Sequence, residues 1–147
     1  MDKNKIEVFA KQIKSELKFD YNLKKLNWFN IGGDAKVFFK PDNLDDLVIF
    51  LKTFGKSEKI FVLGAGSNIL ISDNKFDGFV VKLGKNFSNI SLLPNNIIVA
   101  GSAVSDRKLS NFAMENNIGG FEFLSCIPGT VGGGLRMNAG AMGTETF

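Results

Sequence analysis

Histidine is absent from the 147 residues of this chain, and cysteine occurs once. These absences exclude a Ser-His-Asp triad, Cys-His chemistry, a histidine-ligated metal and a cofactor tethered through histidine. The single Cys126 cannot form an internal disulfide, which fits a reducing compartment without establishing one. No run approaches 18 apolar residues and no apolar segment follows the lysines at the N-terminus, so the sequence predicts neither a membrane span nor a signal peptide. The default expectation is a soluble cytoplasmic protein, and we assign no metal ligand.

An excess of one charge is also missing. The 18 Lys and Arg residues against 15 Asp and Glu residues leave a net charge of only +3. The lysines form a modest cluster in the first 25 residues, which a solvated helix face explains, and no basic stripe is interleaved with aromatic residues. We therefore expect neither nucleic acid nor a membrane as a partner. A hydrophobic fraction of 44% predicts a globular chain, as one domain or two small lobes.

The first half of the chain predicts helices and short strands in alternation. An apolar stripe predicts an amphipathic helix over 2–18 capped by Asp2, followed by a connection over 20–26. Further predicted elements, each read from periodicity and flanking breakers, are a strand at 35–40, a helix from the Asn43 cap to a C′ glycine at Gly55, and strands at 59–63 and 79–83. The strand at 59–63 is apolar enough to be buried on both faces.

After Gly84 the pattern changes. Two apolar runs at 90–93 and 97–100, separated by Pro94-Asn95-Asn96, predict a β-hairpin. Ser105 is suited to cap a helix that ends near Asn117. A glycine-rich segment then leads into the start of a short helix.

The segment 129–143 holds six glycines in fifteen residues and almost no charge. Glycine allows a close approach of the backbone and positive φ values, and a run of free N–H groups at a helix start binds anions. Gly129 and Thr130 would place a hydroxyl and free N–H groups at this helix start. The segment therefore favours contact with a phosphate-containing ligand, against the alternative that the glycines only permit close packing.

Another glycine-rich stretch, which we call the first glycine turn, follows the strand at 59–63 and spans Gly64-Ala65-Gly66-Ser67-Asn68. It is not a dinucleotide fingerprint, because the third glycine of that motif would fall at Ile69, and no Gly-Lys-Ser/Thr follows any glycine run. It offers successive backbone N–H donors, the Ser67 hydroxyl and the Asn68 amide. The alternative is a tight turn between strands.

An aromatic pair precedes a third glycine turn, at Trp28-Phe29-Asn30-Ile31-Gly32-Gly33. Both rings could stack on a planar ligand. The alternative is an aromatic plug in the core, which we favour for Phe29.

Three segments, 28–33, 64–73 and 127–143, in this order along the chain and at these separations, together resemble the UDP-N-acetylenolpyruvoylglucosamine reductase family. The resemblance runs from about Leu26 to the last residue. The resemblance implies an α+β fold, the two-lobed FAD-binding fold of the vanillyl-alcohol oxidase or PCMH type. The first lobe would be 1–84, with the N-terminal helix, and the second, incomplete lobe 85–147. The C-terminal substrate-binding domain would be absent, so we expect a fragment that is inactive alone.

The resemblance also implies non-covalent FAD and a set of contacts with it. The turn 64–68 would wrap the pyrophosphate, 127–133 would line the pyrophosphate and flavin from the other lobe, and 138–143 would lie near the isoalloxazine. The implied cofactor-binding residues are Gly64, Ala65, Gly66, Ser67, Asn68, Ile127, Pro128, Gly129, Thr130, Gly132, Gly133, Asn138 and Gly140.

The implied reaction belongs to peptidoglycan precursor synthesis. NADPH as co-substrate reduces the flavin, and UDP-N-acetylglucosamine enolpyruvate then takes hydride from the flavin and a proton from the protein, giving UDP-N-acetylmuramate. The family's catalytic arginine, serine and glutamate lie downstream, so we assign no catalytic residue; Arg136 is interpreted as structural or cofactor-proximal. Met142 departs from the aromatic residue of many relatives.

Two alternatives remain open. One is another flavoprotein oxidoreductase of the same fold, such as an oxidase of a small alcohol or sugar. The absence of histidine and the Asn-Ala-Gly ending argue against it, because those enzymes often tether FAD through histidine or cysteine. The other is a non-catalytic nucleotide-binding module, which would have glycine turns but no redox role.

Overall fold

The computed structural model describes residues 2–146. The chain forms two compact units, residues 1–84 (unit 1) and 85–147 (unit 2). Each unit has its own hydrophobic core. Helices and strands occur in both units, which makes the architecture α+β.

A four-stranded sheet with two helices forms unit 1. Its elements in chain order are α1 (Lys3–Gln12), β1 (Glu16–Asn22), β2 (Asp34–Lys40), α2 (Leu44–Phe54), β3 (Ile60–Val62) and β4 (Phe76–Val81). The strand order is β1-β2-β4-β3. The outer strand β1 runs antiparallel to β2, while β4 is parallel to both β2 and β3. The first glycine turn, residues 64–68, follows β3 and so lies at the end of a strand in the parallel half of the sheet.

A cluster of phenylalanines fills the space between the sheet and the helices of unit 1. Phe50 and Phe54 of α2 are fully buried and pack against Phe9 of α1 and Phe79 of β4, with ring centroids 4.7–5.9 Å apart. Tilted and edge-to-face pairs of this kind add specificity to apolar burial. The interlocked rings attach both helices to one face of the sheet.

The predicted helix over 2–18 is wrong beyond Gln12, and the connection predicted over 20–26 is wrong for residues 20–22, which belong to strand β1. Strand β1 begins at Glu16 and pairs with β2, and a short 3-10 helix covers Lys24–Leu26. The Asp46 carboxylate accepts hydrogen bonds from the backbone N–H groups of Lys14, at 3.2 Å, and Ser15, at 2.9 Å. A partner 31 residues away in sequence thus ends α1, and no helical periodicity encodes it.

The prediction that the strand at 59–63 is buried on both faces is also wrong. Strand β3 lies at the edge of the sheet, and its Phe61 and Val62 side chains are 39% and 65% exposed. The buried strand is β4, which corresponds to the strand predicted at 79–83 and has residues 78–81 buried. An apolar run predicts a strand correctly, but it does not say whether that strand lies at the centre or at the edge of the sheet.

The α2 prediction is confirmed at its start. Asn43 accepts a hydrogen bond from the Asp46 amide at 2.8 Å, as an N-cap does. At the other end Gly55 follows the last helical residue, but its φ of −58° is right-handed, so it is not a left-handed C′ glycine. Strand β2 is also confirmed and begins one residue earlier than predicted.

Unit 2 is built from hairpins and short helices. Its elements are β5 (Ile90–Leu93), β6 (Ile97–Ala100), α3 (Asp106–Glu115), α4 (Val131–Met137), β7 (Gly140–Ala141) and β8 (Thr144–Glu145). The predicted hairpin and the Ser105 cap are confirmed: β5 pairs antiparallel with β6, and Ser105 accepts from the Lys108 amide at 3.2 Å. A small core of Val104, Leu109 and Leu124 lies under these elements.

Candidate functional site

The first glycine turn, residues 64–68, follows strand β3 and packs against the aromatic segment. Gly66 is buried with a φ of +74°, and a Cβ placed there would lie 2.1 Å from the Leu26 carbonyl oxygen. The Trp28 amide donates to the Gly66 carbonyl at 3.0 Å. Gly66 is therefore required by local packing and by its left-handed backbone.

The backbone amides of this turn have no partner in the described part of the chain. Among the hydrogen bonds of residues 2–146, none is donated by the N–H groups of residues 65–68 or by the side chains of Ser67 and Asn68. Ala65, Gly66 and Ser67 are buried or half-buried, while Asn68 is exposed, and buried backbone donors are nearly always paired. Four successive unpaired N–H groups on a glycine turn are suited to an anionic ligand.

Lys82 lies beneath the first glycine turn. Its ammonium donates a hydrogen bond to the Gly64 carbonyl oxygen, and its side chain is half-buried. Burial, and secondarily the positive charge of Lys40, lower the pKa of the Lys82 ammonium below its usual value. The motif analysis missed this residue, because a lone lysine after a strand carries no sequence signal.

The aromatic segment exposes its rings. Trp28 is 62% and Phe29 is 60% exposed, so the interpretation of Phe29 as a core plug is wrong. Asn27, which directly precedes this segment, is buried, and its side-chain amide donates to the carbonyl oxygens of Leu23, at 3.1 Å, and Ile31, at 2.8 Å. Asn27 thus holds the chain reversal that presents the two rings to solvent.

In unit 2, the residues around Gly129 pair with the segment 102–106. Asp106 donates its amide to the Gly129 carbonyl at 3.2 Å, and Val131 and Gly132 donate to Val104 and Ser102, each at 2.9 Å. Thr130 caps α4 by accepting from the Gly133 amide at 3.3 Å. These bonds fix the second glycine segment against the loop that precedes α3.

The expected run of free N–H groups at the start of α4 is therefore wrong for Val131, Gly132 and Gly133. Within the described residues, only the amides of Gly129 and Thr130 lack a hydrogen bond in this stretch. The Val131 amide pairs beside the antiparallel bridge between Ser105 and Thr130, the Gly132 amide pairs with Ser102, and the Gly133 amide pairs with the Thr130 cap. The sequence carried no signal for the bridge, because its two residues lie more than 20 positions apart.

Close packing accounts for several glycines of this segment. A Cβ at Gly129 would lie 2.4 Å from the Asp106 Oδ2 atom, and one at Gly132 would lie 3.0 Å from the Ser102 carbonyl. A Cβ at Gly140 would lie 2.7 Å from the Thr144 carbonyl, across the β7–β8 hairpin. Gly133 has only the Thr130 hydroxyl near it, at 3.3 Å. The packing alternative thus explains Gly129, Gly132 and Gly140 better than Gly133.

Asp106 is a buried carboxyl group next to Gly129. It is 1% exposed, and its Oδ2 atom has no hydrogen-bond partner among the described residues. Desolvation raises its pKa to about 6. An acid in the first turn of a helix usually indicates a solvated partner of the helix dipole, so the sequence carried no signal for this burial.

Asn138 has a structural role at the end of α4. Its backbone is left-handed, with a φ of 45°, which is the usual conformation of a helix C-cap asparagine. Its side-chain amide donates to the Glu145 carboxylate at 2.8 Å, and the Ala139 amide donates to Gly134 at 2.9 Å. Asn138 therefore joins α4 to the β7–β8 hairpin.

The predicted site residues thus fall in two places, the turn 64–68 of unit 1 and residues 127–140 of unit 2. No group of three or more His, Cys, Asp or Glu residues in the described chain could hold a metal ion. Among residues 2–146, no helix combines the length and apolar character needed to cross a membrane. The mixed sheet of unit 1 thus ends in a glycine turn whose unpaired amides are suited to an anionic ligand.

Comparison with known proteins identifies the family. Residues 35–147 match the sequence family described as FAD binding domain. The chain therefore belongs to this family. FAD is the cofactor of this family, and the predicted α+β FAD-binding fold is confirmed.

The similar relatives carry one name. UDP-N-acetylenolpyruvoylglucosamine reductase from Pelagibacter ubique is 66% identical over 145 residues, covering 99% of this chain and 48% of the relative. The Rickettsia akari protein of the same name is 52% identical over 133 residues, covering 90% of this chain and 45% of the relative. The chain spans about half the length of the curated relatives that it matches. The predicted resemblance to this family is confirmed.

A solved structure is similar to the chain as well. The crystal structure of UDP-N-acetylenolpyruvylglucosamine reductase (MurB) from Thermus caldophilus matches with a TM-score of 0.72 and 26% identity. The match covers 90% of this chain and 45% of that protein.

The first glycine turn fits the cofactor of the family. FAD carries a diphosphate, and backbone N–H groups with nearby positive charge are the usual way in which proteins bind phosphates. The unpaired amides of residues 65–68 and the ammonium of Lys82 supply both.

Proposed function

We propose that this chain is the FAD-binding part of an NADPH-dependent reductase that converts UDP-N-acetylglucosamine enolpyruvate to UDP-N-acetylmuramate, in peptidoglycan precursor synthesis. The relatives named UDP-N-acetylenolpyruvoylglucosamine reductase, up to 66% identical, support this reaction. NADPH and the UDP-sugar are the proposed partners of the whole protein, with neither nucleic acid nor membrane as a partner. We also propose a cytoplasmic location for the protein.

The observation that carries the proposal is the turn 64–68 with its unpaired amides. In our proposal these N–H groups and the Ser67 hydroxyl bind the FAD diphosphate, and Gly66 supplies the left-handed backbone that presents them. When bound, FAD supplies the hydride chemistry, while the residues of this chain bind and orient it. Residues 1–84 are the proposed first FAD-binding lobe.

Residues 85–147 are the proposed second, incomplete lobe. The amides of Gly129 and Thr130, unpaired within the described residues, are its proposed donors to the cofactor. The pairing with residues 102–106 supports a rigid contact surface, because it fixes these two amides before any ligand arrives. Ile127, Pro128, Gly132, Gly133, Asn138 and Gly140 complete the proposed FAD surface.

Purification followed by visible spectroscopy tests the cofactor assignment. We expect a flavin spectrum, and we expect acid-released chromophore to be FAD rather than FMN or riboflavin. The chain would be studied as purified and after incubation with FAD. A chain that stays colourless in both cases, and quenches no flavin fluorescence, would contradict FAD binding by this segment.

A chimera tests the reaction. The chain would be joined to the part of the Pelagibacter ubique relative that the match, 48% of that protein, does not cover. We expect the chimera to oxidise NADPH only when UDP-N-acetylglucosamine enolpyruvate is present. NADPH oxidation with oxygen alone would indicate another flavoprotein of the fold, and a chimera that binds FAD without any redox turnover would indicate a nucleotide-binding module.

A further inference from the structure

Lys82 follows strand β4 and lies under the first glycine turn, outside every motif that the sequence presents. Its ammonium donates to the Gly64 carbonyl oxygen. This contact joins the end of the central strand β4 to the turn that follows the edge strand β3. The contact decides which way one peptide plane of the turn faces.

The direction follows from peptide geometry. All peptide bonds among the described residues are trans. In a trans peptide the carbonyl of one residue and the N–H of the next point in opposite directions. With the Gly64 carbonyl directed at Lys82, the Ala65 N–H points away from the ammonium. This N–H is the first of the four unpaired donors of residues 65–68.

The charge of Lys82 is not compensated by the described residues. None of their carboxylates forms an ion pair with it, while the nearby Lys40 is a second cation, itself 3.9 Å from Glu16. A half-buried cation without a counter-ion is costly, and an anion bound at the turn would relieve that cost. The uncompensated charge thus lies directly behind the donors that would hold such an anion.

We propose that Lys82 is a positioning residue for the FAD diphosphate, holding the Gly64–Ala65 peptide with its N–H outward and adding positive charge behind the turn. The inference deepens the proposed function and rests on it. A purely structural role would be different: Lys82 would tie β4 to the turn, and any side chain that keeps the fold would leave anion binding unchanged.

The first experiment is a titration of the purified chain with FAD, followed by quenching of flavin fluorescence. We expect Lys82→Met to weaken FAD binding roughly 10- to 100-fold, the range that a hydrogen bond to a charged group represents. Lys82→Arg keeps the charge and is expected to stay within about threefold of the wild type. The matched control is Lys36→Met, which removes a half-buried lysine of the same unit, ion-paired with Asp77 at 2.6 Å.

The second experiment tests binding of the diphosphate group alone, without the flavin. Inorganic pyrophosphate is added to 15N-labelled chain, and the amide signals of residues 65–68 are followed by NMR. We expect these signals to shift in the wild type and in Lys82→Arg, and to shift much less in Lys82→Met. Thermal unfolding of each variant, together with its unperturbed NMR spectrum, reports whether it folds; if Lys82→Met does not, Lys82→Gln takes its place.

The outcomes separate the inference from the function. If the wild type binds FAD and Lys82→Met binds it equally well, the inference is overturned and FAD binding stands. An equal loss in Lys82→Arg and Lys82→Met overturns the charge role. If neither FAD nor pyrophosphate shifts the amides of residues 65–68 in the wild type, the assignment of the turn and the inference fall together.

Discussion

The two glycine segments of this chain resemble each other in composition and differ in what their backbones do. The turn 64–68 packs one glycine, Gly66, against its neighbours and leaves four successive N–H groups unpaired within the described residues. The stretch 129–134 packs Gly129 and Gly132 and commits most of its N–H groups to hydrogen bonds. A high density of glycines therefore goes with close backbone packing in both segments, but a run of four unpaired N–H groups occurs only in the turn 64–68.

The two buried aspartates show the same contrast for carboxylates. Asp46 in unit 1 is 6% exposed and accepts hydrogen bonds from the Ser15 hydroxyl, the Asn43 side chain, and the Lys14 and Ser15 amides. Burial alone would raise the pKa of Asp46, but these hydrogen bonds lower it overall. Asp106 in unit 2 is buried to a similar degree with an unpartnered oxygen, and its pKa rises to about 6. The pKa of a buried aspartate is therefore lowered where hydrogen-bond donors surround the carboxylate and raised where an oxygen has none.

The largest effect is expected from Gly66→Ala. The new Cβ would lie 2.1 Å from the Leu26 carbonyl at a φ of +74°, so backbone must move. We expect a loss of roughly 3–5 kcal/mol in the free energy of unfolding. Urea unfolding followed by the fluorescence of Trp28, the single tryptophan, measures it in the affected unit.

Gly120→Ala is the control for Gly66→Ala. Gly120 has a φ of +89°, but no atom lies within 4 Å of its Cβ position. This variant should cost only about 1 kcal/mol, the penalty of a left-handed alanine, measured by circular dichroism in urea. Equal losses in the two variants would mean that Gly66 is not packed against Leu26.

Asp106→Asn is expected to have the next largest effect, with a sign that depends on pH. The folded-state pKa of about 6 exceeds the ordinary aspartate value of 3.8, so the folded state binds more protons and stability falls as pH rises through this window. The full shift corresponds to about 3 kcal/mol. We expect the wild type to lose stability between pH 4 and pH 7, and Asp106→Asn to be more stable than the wild type at pH 8. Urea unfolding at pH 4 and pH 8 measures both.

Asp46→Asn is the matched control for that experiment. Because the pKa of Asp46 is lowered on folding, its contribution is present above the unfolded pKa and is lost as pH falls through the lower folded value. The variant should therefore be less stable than the wild type at pH 8. The pH interpretation would be contradicted if both asparagine variants changed stability with the same sign at that pH.

A smaller effect is expected from Gly129→Ala. Its Cβ would lie 2.4 Å from the Asp106 Oδ2 atom, and the buried carboxyl has little room to move. We expect a loss of about 1–3 kcal/mol, measured by circular dichroism in urea. In an Asp106→Ala background the same substitution should cost much less, so a double-mutant cycle gives the coupling. Independent, additive losses would show that the two residues do not meet.

The smallest effect on stability is expected from Gly133→Ala, and it tests the site. The only neighbour of the new Cβ is the Thr130 hydroxyl at 3.3 Å, and alanine favours the helix over glycine by up to about 1 kcal/mol. We expect the melting temperature to stay the same or rise slightly. FAD titration then decides: weaker binding supports ligand contact at Gly133, and unchanged binding removes it from the proposed site.

Much of the fold was predictable because its signals are local. Asn43 and Ser105 each cap a helix three residues from the amide that they bind, and the turn between β5 and β6 lies within the hairpin that it closes. The motifs that resemble the reductase family were also readable from adjacent residues. What failed was any feature that depended on a distant partner, such as the exposure of Phe29 or the edge position of β3.

By itself, the sequence determined the α+β class, most helix and strand positions, the FAD-binding family and the location of both glycine segments. Tertiary structure alone decided where α1 ends, since the Asp46 carboxylate reaches Lys14 and Ser15 from α2. It also decided which glycine segment keeps its donors, because residues 102–106 pair with one of them. The physical reason is common to both: periodicity and capping act between near neighbours, whereas the partner of a backbone N–H or a buried carboxylate is chosen by packing.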